Sequence, residues 1–241
     1  MKQFPGCRMY EDLAWTWPII SPPEDYEEEA GQFIEAIEAH AKIPVKTILD
    51  MGSGGGHNDV HLKKHYKVTG LDLSPRMIEN ARRLNPGVEY LEGDMRTTRF
   101  EKQFDAVLLA DAVMYLLTEE DLLAAFQTAY HHLNQGGALC TYAEMTPDKF
   151  QENMTDISFR SRGGTRITLM ENQRRTGPNT FRSTFLYMIE KDGRQYIEAE
   201  AHDLGMFSTG RWAALLGQAG FLVHVVEFDE TIPMFVCVKE K

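Results

Sequence analysis

The stretch Ile43-Pro-Val-Lys-Thr-Ile-Leu-Asp-Met-Gly-Ser-Gly-Gly-Gly-His57 decides the fold. Its apolar run from Val45 to Leu49 predicts a buried strand, because the run is short, contains β-branched residues and stops at a cluster of glycines. Glycines permit a sharp turn and let a ligand approach the backbone closely. We therefore expect a strand, a ligand-binding loop and then a helix that begins near His57.

Three later segments repeat the pattern of an apolar run followed by an acid. Because a carboxylate at the end of the second strand can accept both hydroxyls of a ribose, this arrangement is typical of nucleotide-binding α/β folds. The acids that follow the second, third and fourth predicted strands are Asp72, Asp94 and Asp111.

The spacing Asp50-x-Gly52-x-Gly54-x-Gly56, Asp72 after the second strand and Gly93-Asp94 after the third resemble the motifs of class I S-adenosylmethionine-dependent methyltransferases. The resemblance covers residues 43–145. It implies that the glycine loop lies beneath the methionine part of the cofactor, that Asp72 binds ribose and that Asp94 meets the adenine amino group. The cofactor-binding residues implied are Asp50, Gly52, Ser53, Gly54, Gly56, Asp72, Leu73, Asp94, Met95 and Ala110.

Strands that alternate with helices predict an α/β fold: a Rossmann-like, seven-stranded, mostly parallel sheet with helices on both faces. Between residues 153 and 206 the apolar period falls to about two, which predicts an antiparallel β insertion. We divide the chain into an N-terminal aromatic segment with a helix (1–42), a cofactor-binding core (43–152), the insertion (153–206) and a final helix with a β-hairpin (207–241). The insertion is a candidate lid over the active site or a dimerisation sheet, and the two are compatible.

Four residues are candidates for contact with the methyl acceptor: Asp111, Tyr10, His202 and Tyr115. The resemblance places Asp111 and Tyr115 beside the methyl group and likens Tyr10 to a tyrosine that lines the transfer site in some relatives. A base is needed only if the acceptor is a protonated amine or an unactivated hydroxyl; Glu144 is a further possible base. Asp111 could instead cap the next turn, and His202 could be an ordinary partly buried histidine.

The composition of the chain limits the classes of molecule that it is expected to bind. The net charge of −11 opposes binding to nucleic acid, and the chain lacks a long apolar run that could span a membrane. Its start lacks the pattern of a secretory signal, so we expect a cytoplasmic protein.

The cysteines, Cys7, Cys140 and Cys237, are widely spaced and predict neither disulfides nor zinc. His57, His61 and His65 could share a helix face, but no acid lies between them at the spacing of a metalloprotease motif, so we predict no metal site.

The stretch His202-Asp-Leu-Gly-Met-Phe-Ser resembles the corresponding part of methyltransferases that act on amino sugars. We therefore expect S-adenosylmethionine to methylate a small molecule, N-methylation ahead of O-methylation, with S-adenosylhomocysteine as product and a possible homodimer. One alternative is a noncatalytic S-adenosylmethionine-binding sensor. A nicotinamide-dependent oxidoreductase is disfavoured, because His57 stands where a dinucleotide fingerprint needs a small residue.

Overall fold

A computed structural model describes residues 7–229 and 232–240. The first six residues of the predicted N-terminal segment, the tip of the predicted terminal hairpin at 230–231 and residue 241 lie outside the described residues. Within the described part, no helix is long and apolar enough to cross a membrane.

The main sheet has seven strands in the order β10-β11-β5-β4-β1-β2-β3, and only the pairs that involve β11 are antiparallel. This confirms the predicted Rossmann-like sheet. Its strands are β1 (Thr47–Met51), β2 (Lys67–Asp72), β3 (Glu89–Glu92), β4 (Phe104–Leu109), β5 (Leu133–Tyr142), β10 (Leu222–Asp229) and β11 (Ile232–Val238).

The sheet is buried on both faces, as expected of a mainly parallel sheet. Along β4, Val107 and Leu109 pack into the apolar cluster on one face, whereas Ala106 and Leu108 pack into the cluster on the other. Successive side chains of a strand point to opposite faces, so a continuous apolar run serves both layers. The sheet edge at the carboxyl ends of the parallel strands is left for the ligand.

The helices are α1 (Trp17–Ile20), α2 (Glu27–His40), α3 (Asp59–Leu62), α4 (Pro75–Leu84), α5 (Glu119–His132) and α6 (Thr209–Gln218). Ser74 and Thr118 cap α4 and α5, each hydroxyl accepting a backbone N–H three residues on. The helix expected from His57 is only the short α3, which begins at Asp59.

Four long strands form a separate antiparallel sheet in the order β6-β7-β8-β9, which confirms the predicted insertion. They are β6 (Thr155–Arg162), β7 (Thr165–Gly177), β8 (Thr180–Lys191) and β9 (Arg194–Gly205). On the inner face of this sheet, Ile167, Tyr187 and Ile189 pack against Met9 and Leu13 of the N-terminal segment. The insertion thereby fixes residues 7–20 above the main sheet.

Candidate functional site

A cleft of about 950 Å³ lies at the carboxyl ends of β1, β2, β3 and β4, with the N-terminal segment along its rim. This is where an open α/β sheet binds its ligand, because the loops that leave neighbouring strands diverge there. The sequence-predicted residues that line it are Tyr10, Asp50, Gly52, Ser53, Gly54, Asp72, Leu73, Asp94, Met95, Ala110, Asp111 and Tyr115. Gly56 and His202 are not among its lining residues.

The glycine loop turns tightly against β2. The backbone amides of Gly52 and Ser53 both donate to the carbonyl oxygen of Leu71, at 2.6 and 3.1 Å. Gly56, with φ +73°, faces the layer beneath: a Cβ there would lie 2.6 Å from both Asn85 Nδ2 and Tyr90 Oη. Gly56 is therefore required for the packing of the loop, which explains why it does not reach the cleft.

Asp72 joins the loop to the end of β2. Its Oδ2 accepts the backbone amide of Gly54 at 2.8 Å, and its Oδ1 accepts that of Ser74 at 2.8 Å. Burial raises the pKa of this carboxyl, and the two amide donors oppose that rise. An ionised carboxylate has about four acceptor sites, so capacity for two ribose hydroxyls remains.

Asp94 is held by an arginine that sequence reasoning missed. The Arg96 guanidinium donates to both carboxylate oxygens, at 3.0 Å from Nε to Oδ1 and 2.6 Å from Nη2 to Oδ2, and its Nη1 donates to Asp121 at 2.9 Å. The hydrogen bonds from Arg96 hold the pKa of Asp94 below its ordinary value. An adenine amino group would therefore meet a charged carboxylate already oriented by a planar fork.

Polar atoms without a partner cluster beside the glycine loop. Within the described residues, Ser53 Oγ, Asn58 Oδ1 and both ring nitrogens of His57 are buried and make no hydrogen bond. Burial lowers the pKa of His57 to about 4, so its ring is neutral, and it stacks on Trp17 at 5.9 Å between ring centres. Buried polar atoms of native proteins are almost always satisfied. These atoms fit the ammonium and carboxylate of a bound S-adenosylmethionine, as does the side-chain-free loop.

A series of hydrogen bonds runs from the cleft into the insertion; we call Tyr10, Tyr115, His202 and Glu200 the Tyr10–Glu200 network. The two tyrosine hydroxyls lie 2.7 Å apart, Tyr115 Oη lies 2.6 Å from His202 Nδ1, and His202 Nε2 lies 2.8 Å from Glu200 Oε2. The structure thus places His202 behind Tyr115. Sequence reasoning missed Glu200, although a spacing of two on a strand puts it on the same face as His202.

Asp111 lines the cleft at the end of β4 and lies within electrostatic reach of two further acids, Glu29 and Glu144. Asp111 opens to the cleft and accepts a hydrogen bond from Tyr142 Oη, yet the protein surrounds it deeply enough that burial raises its pKa to about 6. Burial, and next the charge of Asp111, raise the pKa of the partly buried Glu29 to about 7; the same two causes raise the pKa of Glu144 to about 8, although its side chain remains exposed to solvent. Such a cluster is ready to bind a cation, which would let these acids ionise.

The raised pKa values predict a pH-dependent loss of stability. Since these carboxyls hold protons in the folded chain that an unfolded chain releases, the stability they contribute is fully present below the ordinary carboxyl pKa and is lost as the pH rises through about 8. We expect the Tm of the ligand-free protein to fall between about pH 5 and 8, and Glu29→Gln, at the less exposed of these acids, to flatten this fall. Differential scanning calorimetry of both proteins, with exposed Glu28→Gln as control, would measure it; identical slopes would contradict the prediction.

Comparison with known proteins agrees with this geometry. The methyltransferase domain family matches residues 48–137. A dTDP-3-amino-3,4,6-trideoxy-alpha-D-glucopyranose N,N-dimethyltransferase from Streptomyces venezuelae is 27% identical over 85% of this chain and 86% of its own. A dTDP-3-amino-3,6-dideoxy-alpha-D-glucopyranose N,N-dimethyltransferase from Streptomyces fradiae is 26% identical over 83% of this chain and 79% of its own.

Solved structures support the same assignment. The crystal structure of Streptomyces venezuelae DesVI superposes with a TM-score of 0.84 at 25% identity, covering 94% of this chain and 95% of its own. CalS10, an amino pentose methyltransferase from Micromonospora echinaspora solved with S-adenosylmethionine bound, superposes with a TM-score of 0.80 at 26% identity, covering 89% and 91%. The fold, the matched methyltransferase domain and the cleft identify the chain as an S-adenosylmethionine-dependent methyltransferase, with S-adenosylmethionine as its cofactor.

Proposed function

We propose that the protein N-methylates the amino group of a small molecule, with amino sugars as the acceptor class. The observation that carries this proposal is Asp111, an acid that lines the cleft at the end of β4 and whose charge acts on two further acids, Glu29 and Glu144. Acids attract an ammonium group and repel an acceptor that is anionic at its reacting atom. The relatives described above are N,N-dimethyltransferases of amino sugars, which supports the same chemistry.

The residues of the cleft divide the work between cofactor and acceptor. When bound, the cofactor would supply an electrophilic methyl group on a positively charged sulfur, which can leave as a neutral thioether. The cofactor is held by the glycine loop, Asp72, Asp94 and Met95, with Asp50, Leu73 and Ala110 beside them. The side of the cleft that faces the acceptor is formed by Asp111, Tyr10 and Tyr115. These residues contribute mainly by orienting the two reactants, because methyl transfer between aligned reactants needs little further catalysis.

The direct test is methyl transfer to a defined amine. We expect S-adenosylmethionine and dTDP-3-amino-3,4,6-trideoxyglucose to give products carrying one and then two added methyl groups by mass spectrometry. The control is the matched sugar nucleotide with a hydroxyl in place of the amine, which should stay unchanged. Methylation of the hydroxyl compound alone would overturn N-methylation. Tight cofactor binding without any methylated product from a broad panel of amines, hydroxyls and thiols would favour the noncatalytic sensor, for which the comparisons give no support.

Asp111 is the acid that should matter most for the acceptor. Since a hydrogen bond to a charged group contributes about 1.5–3 kcal/mol, we expect Asp111→Asn to raise KM for the amine by about 10- to 100-fold and to leave the Kd of S-adenosylhomocysteine unchanged. Steady-state kinetics and calorimetry would measure the two quantities. Glu28→Gln, an exposed acid on α2, is the control; equal KM values for wild type and Asp111→Asn would contradict the role.

The four parts of the chain take complementary roles in this proposal. The described part of residues 1–42 covers the site, and residues 43–152 bind the cofactor. Residues 153–206 supply the wall behind Tyr115, and the described part of residues 207–241 completes the sheet. The outer face of the insertion forms a homodimer contact. Strand registers place two apolar rows side by side on that face, with polar rows beyond them. The apolar rows are Ile157–Met170–Leu186–Ala199 and Phe159–Thr168–Met188–Ile197.

A charge in the apolar rows should separate the dimer. Phe159 and Ile197 are 60% and 70% exposed, an unusual exposure for large apolar side chains on one face. We expect Phe159→Glu to be monomeric at concentrations where wild type is dimeric, as measured by light scattering during size-exclusion chromatography. Ser161→Glu, in the polar row of the same strand and face, should stay dimeric. A wild-type monomer, or a dimeric Phe159→Glu, would contradict this contact.

A further inference from the structure

Glu200 is a buried carboxylate that the proposed methyl transfer does not use directly. Its side chain is fully buried and accepts three hydrogen bonds: from His202 Nε2, from Tyr187 Oη and from the backbone amide of Met9 at 2.8 Å. Burial alone would raise the pKa of Glu200, but the hydrogen bonds from His202 and Tyr187 bring it below its ordinary value. Glu200 is therefore ionised and can only accept hydrogen bonds.

An acceptor at one end fixes the direction of every hydrogen bond in the Tyr10–Glu200 network. His202 Nε2 must carry a proton to donate to Glu200, so in the neutral imidazole Nδ1 is an acceptor. Tyr115 then donates its hydroxyl proton to Nδ1, and Tyr10 donates to the Tyr115 oxygen. The lone pairs of the Tyr10 oxygen remain, and Tyr10 lines the cleft.

We infer that Glu200 is a positioning residue which, through His202 and Tyr115, makes the Tyr10 hydroxyl an acceptor for a proton of the substrate's ammonium group. The inference rests on the proposed N-methylation. The ammonium proton moves to Tyr10, the Tyr10 proton to Tyr115 and the Tyr115 proton to His202 Nδ1, which leaves a neutral amine and an imidazolium paired with Glu200. The amine lone pair then forms the C–N bond, and the pair of the broken C–S bond stays on sulfur.

Other groups around the network favour this direction of transfer. Tyr10 is approached by the carboxylates of Asp72 and Asp111 and by Cys7, and burial keeps its pKa far above the ordinary value, so it passes a proton on without becoming a stable phenolate. Burial, and in addition the neighbouring Tyr10, keep the pKa of Tyr115 well above its ordinary value in the same way. One cation near the buried end is Arg8, which pairs with Glu198 at 2.7 Å and thus leaves the charge of Glu200 for His202.

The first test needs no acceptor. In protein with ¹⁵N-labelled imidazoles, we expect the His202 ring, identified by the signals missing from His202→Asn, to be the Nε2–H tautomer. In Glu200→Gln the amide can donate to Nε2, and we expect Nδ1–H instead. An Nδ1–H ring in the wild type, or an unchanged tautomer in the variant, would overturn the inference, whatever substrate the enzyme uses.

The second test uses the amine that the wild type methylates. We expect Glu200→Gln to lower kcat by about 100-fold or more near neutral pH, the usual scale for a lost proton acceptor, and to regain activity as the pH approaches the pKa of the free amine. Tyr187→Phe removes a different hydrogen bond to the same carboxylate and should keep the wild-type pH profile. If Glu200→Gln folds poorly, Tyr115→Phe interrupts the same network and should show the same shift. A wild-type pH profile in the interrupted variant would overturn the inference.

The two tests separate this inference from the function on which it rests. If no amine is methylated but the Nε2–H tautomer and its reversal are observed, the N-methylation proposal fails and the direction of the network stands. If amines are methylated and neither the tautomer nor the pH profile responds to position 200, only the positioning role fails.

Discussion

Cofactor binding is expected to be lost when Gly52 is replaced by alanine. Gly52 has a φ of +85°, and a Cβ there would overlap the Cβ of Ala112 and lie 3.0 Å from Met95 Cε. The left-handed backbone costs an L residue about 1–2 kcal/mol, and relieving the overlap costs about 1–3 kcal/mol more. Because the loop must shift to make room, we expect the Kd of S-adenosylhomocysteine to rise by at least ~100-fold, or about 2.8 kcal/mol.

Titration calorimetry would measure this loss, and Gly87→Ala is its control. Gly87 has a similar φ of +91°, and no heavy atom of the described chain lies within 4 Å of a Cβ built there. It shares the backbone strain of Gly52 without the overlap, so its variant should be less stable and bind the cofactor normally. Normal affinity in Gly52→Ala would show that the loop does not contact the cofactor.

Asp72→Ala should have an effect of similar size for a different reason. Two hydrogen bonds between a carboxylate and ribose hydroxyls contribute roughly 3–6 kcal/mol together, so their loss should weaken cofactor binding by at least ~100-fold. The same change removes the acceptor of the Gly54 and Ser74 amides, which lie 2.8 Å from it. We therefore also expect a lower Tm, in contrast to a change at a residue that contacts only the ligand.

The control for Asp72 is its register partner on the neighbouring strand. Glu92 pairs with Asp72 in the register of β2 and β3, and its side chain is exposed. Glu92→Ala therefore removes a nearby negative charge without removing a ribose partner, and its affinity should stay within about threefold of wild type, the range of a surface charge. Equal affinities for Asp72→Ala and wild type would contradict the assigned role.

The order of the elements could be predicted from the sequence because each strand of the sheet is a short apolar run with a turn signal after it. The extent of α3 could not be predicted. The histidines 57, 61 and 65 have helical spacing, but the helix spans only Asp59–Leu62. The ring of His57 is instead fixed by stacking on Trp17, a contact with a segment forty residues away that no local pattern reveals.

The positions of the candidate site residues in the cleft were predictable where the backbone alone sets the geometry. Asp72 and Gly52 follow directly from the ends of parallel strands. The place of Gly56 could not be predicted, since it depends on Asn85 and Tyr90 beneath the loop. The relation of His202 to Tyr10 also required the structure, because it depends on how the insertion folds back over the N-terminal segment.

The bond between Glu200 and residue 9 has a consequence for how this protein tolerates mutation. The donor is the backbone amide of Met9, which every amino acid except proline possesses. A saturation library at position 9 would therefore report mainly how well each side chain fills the space beside Leu13 and Tyr187. Proline alone would uncouple the leading segment from the buried acid, so a disproportionate penalty for that one substitution is the genetic signature of the contact.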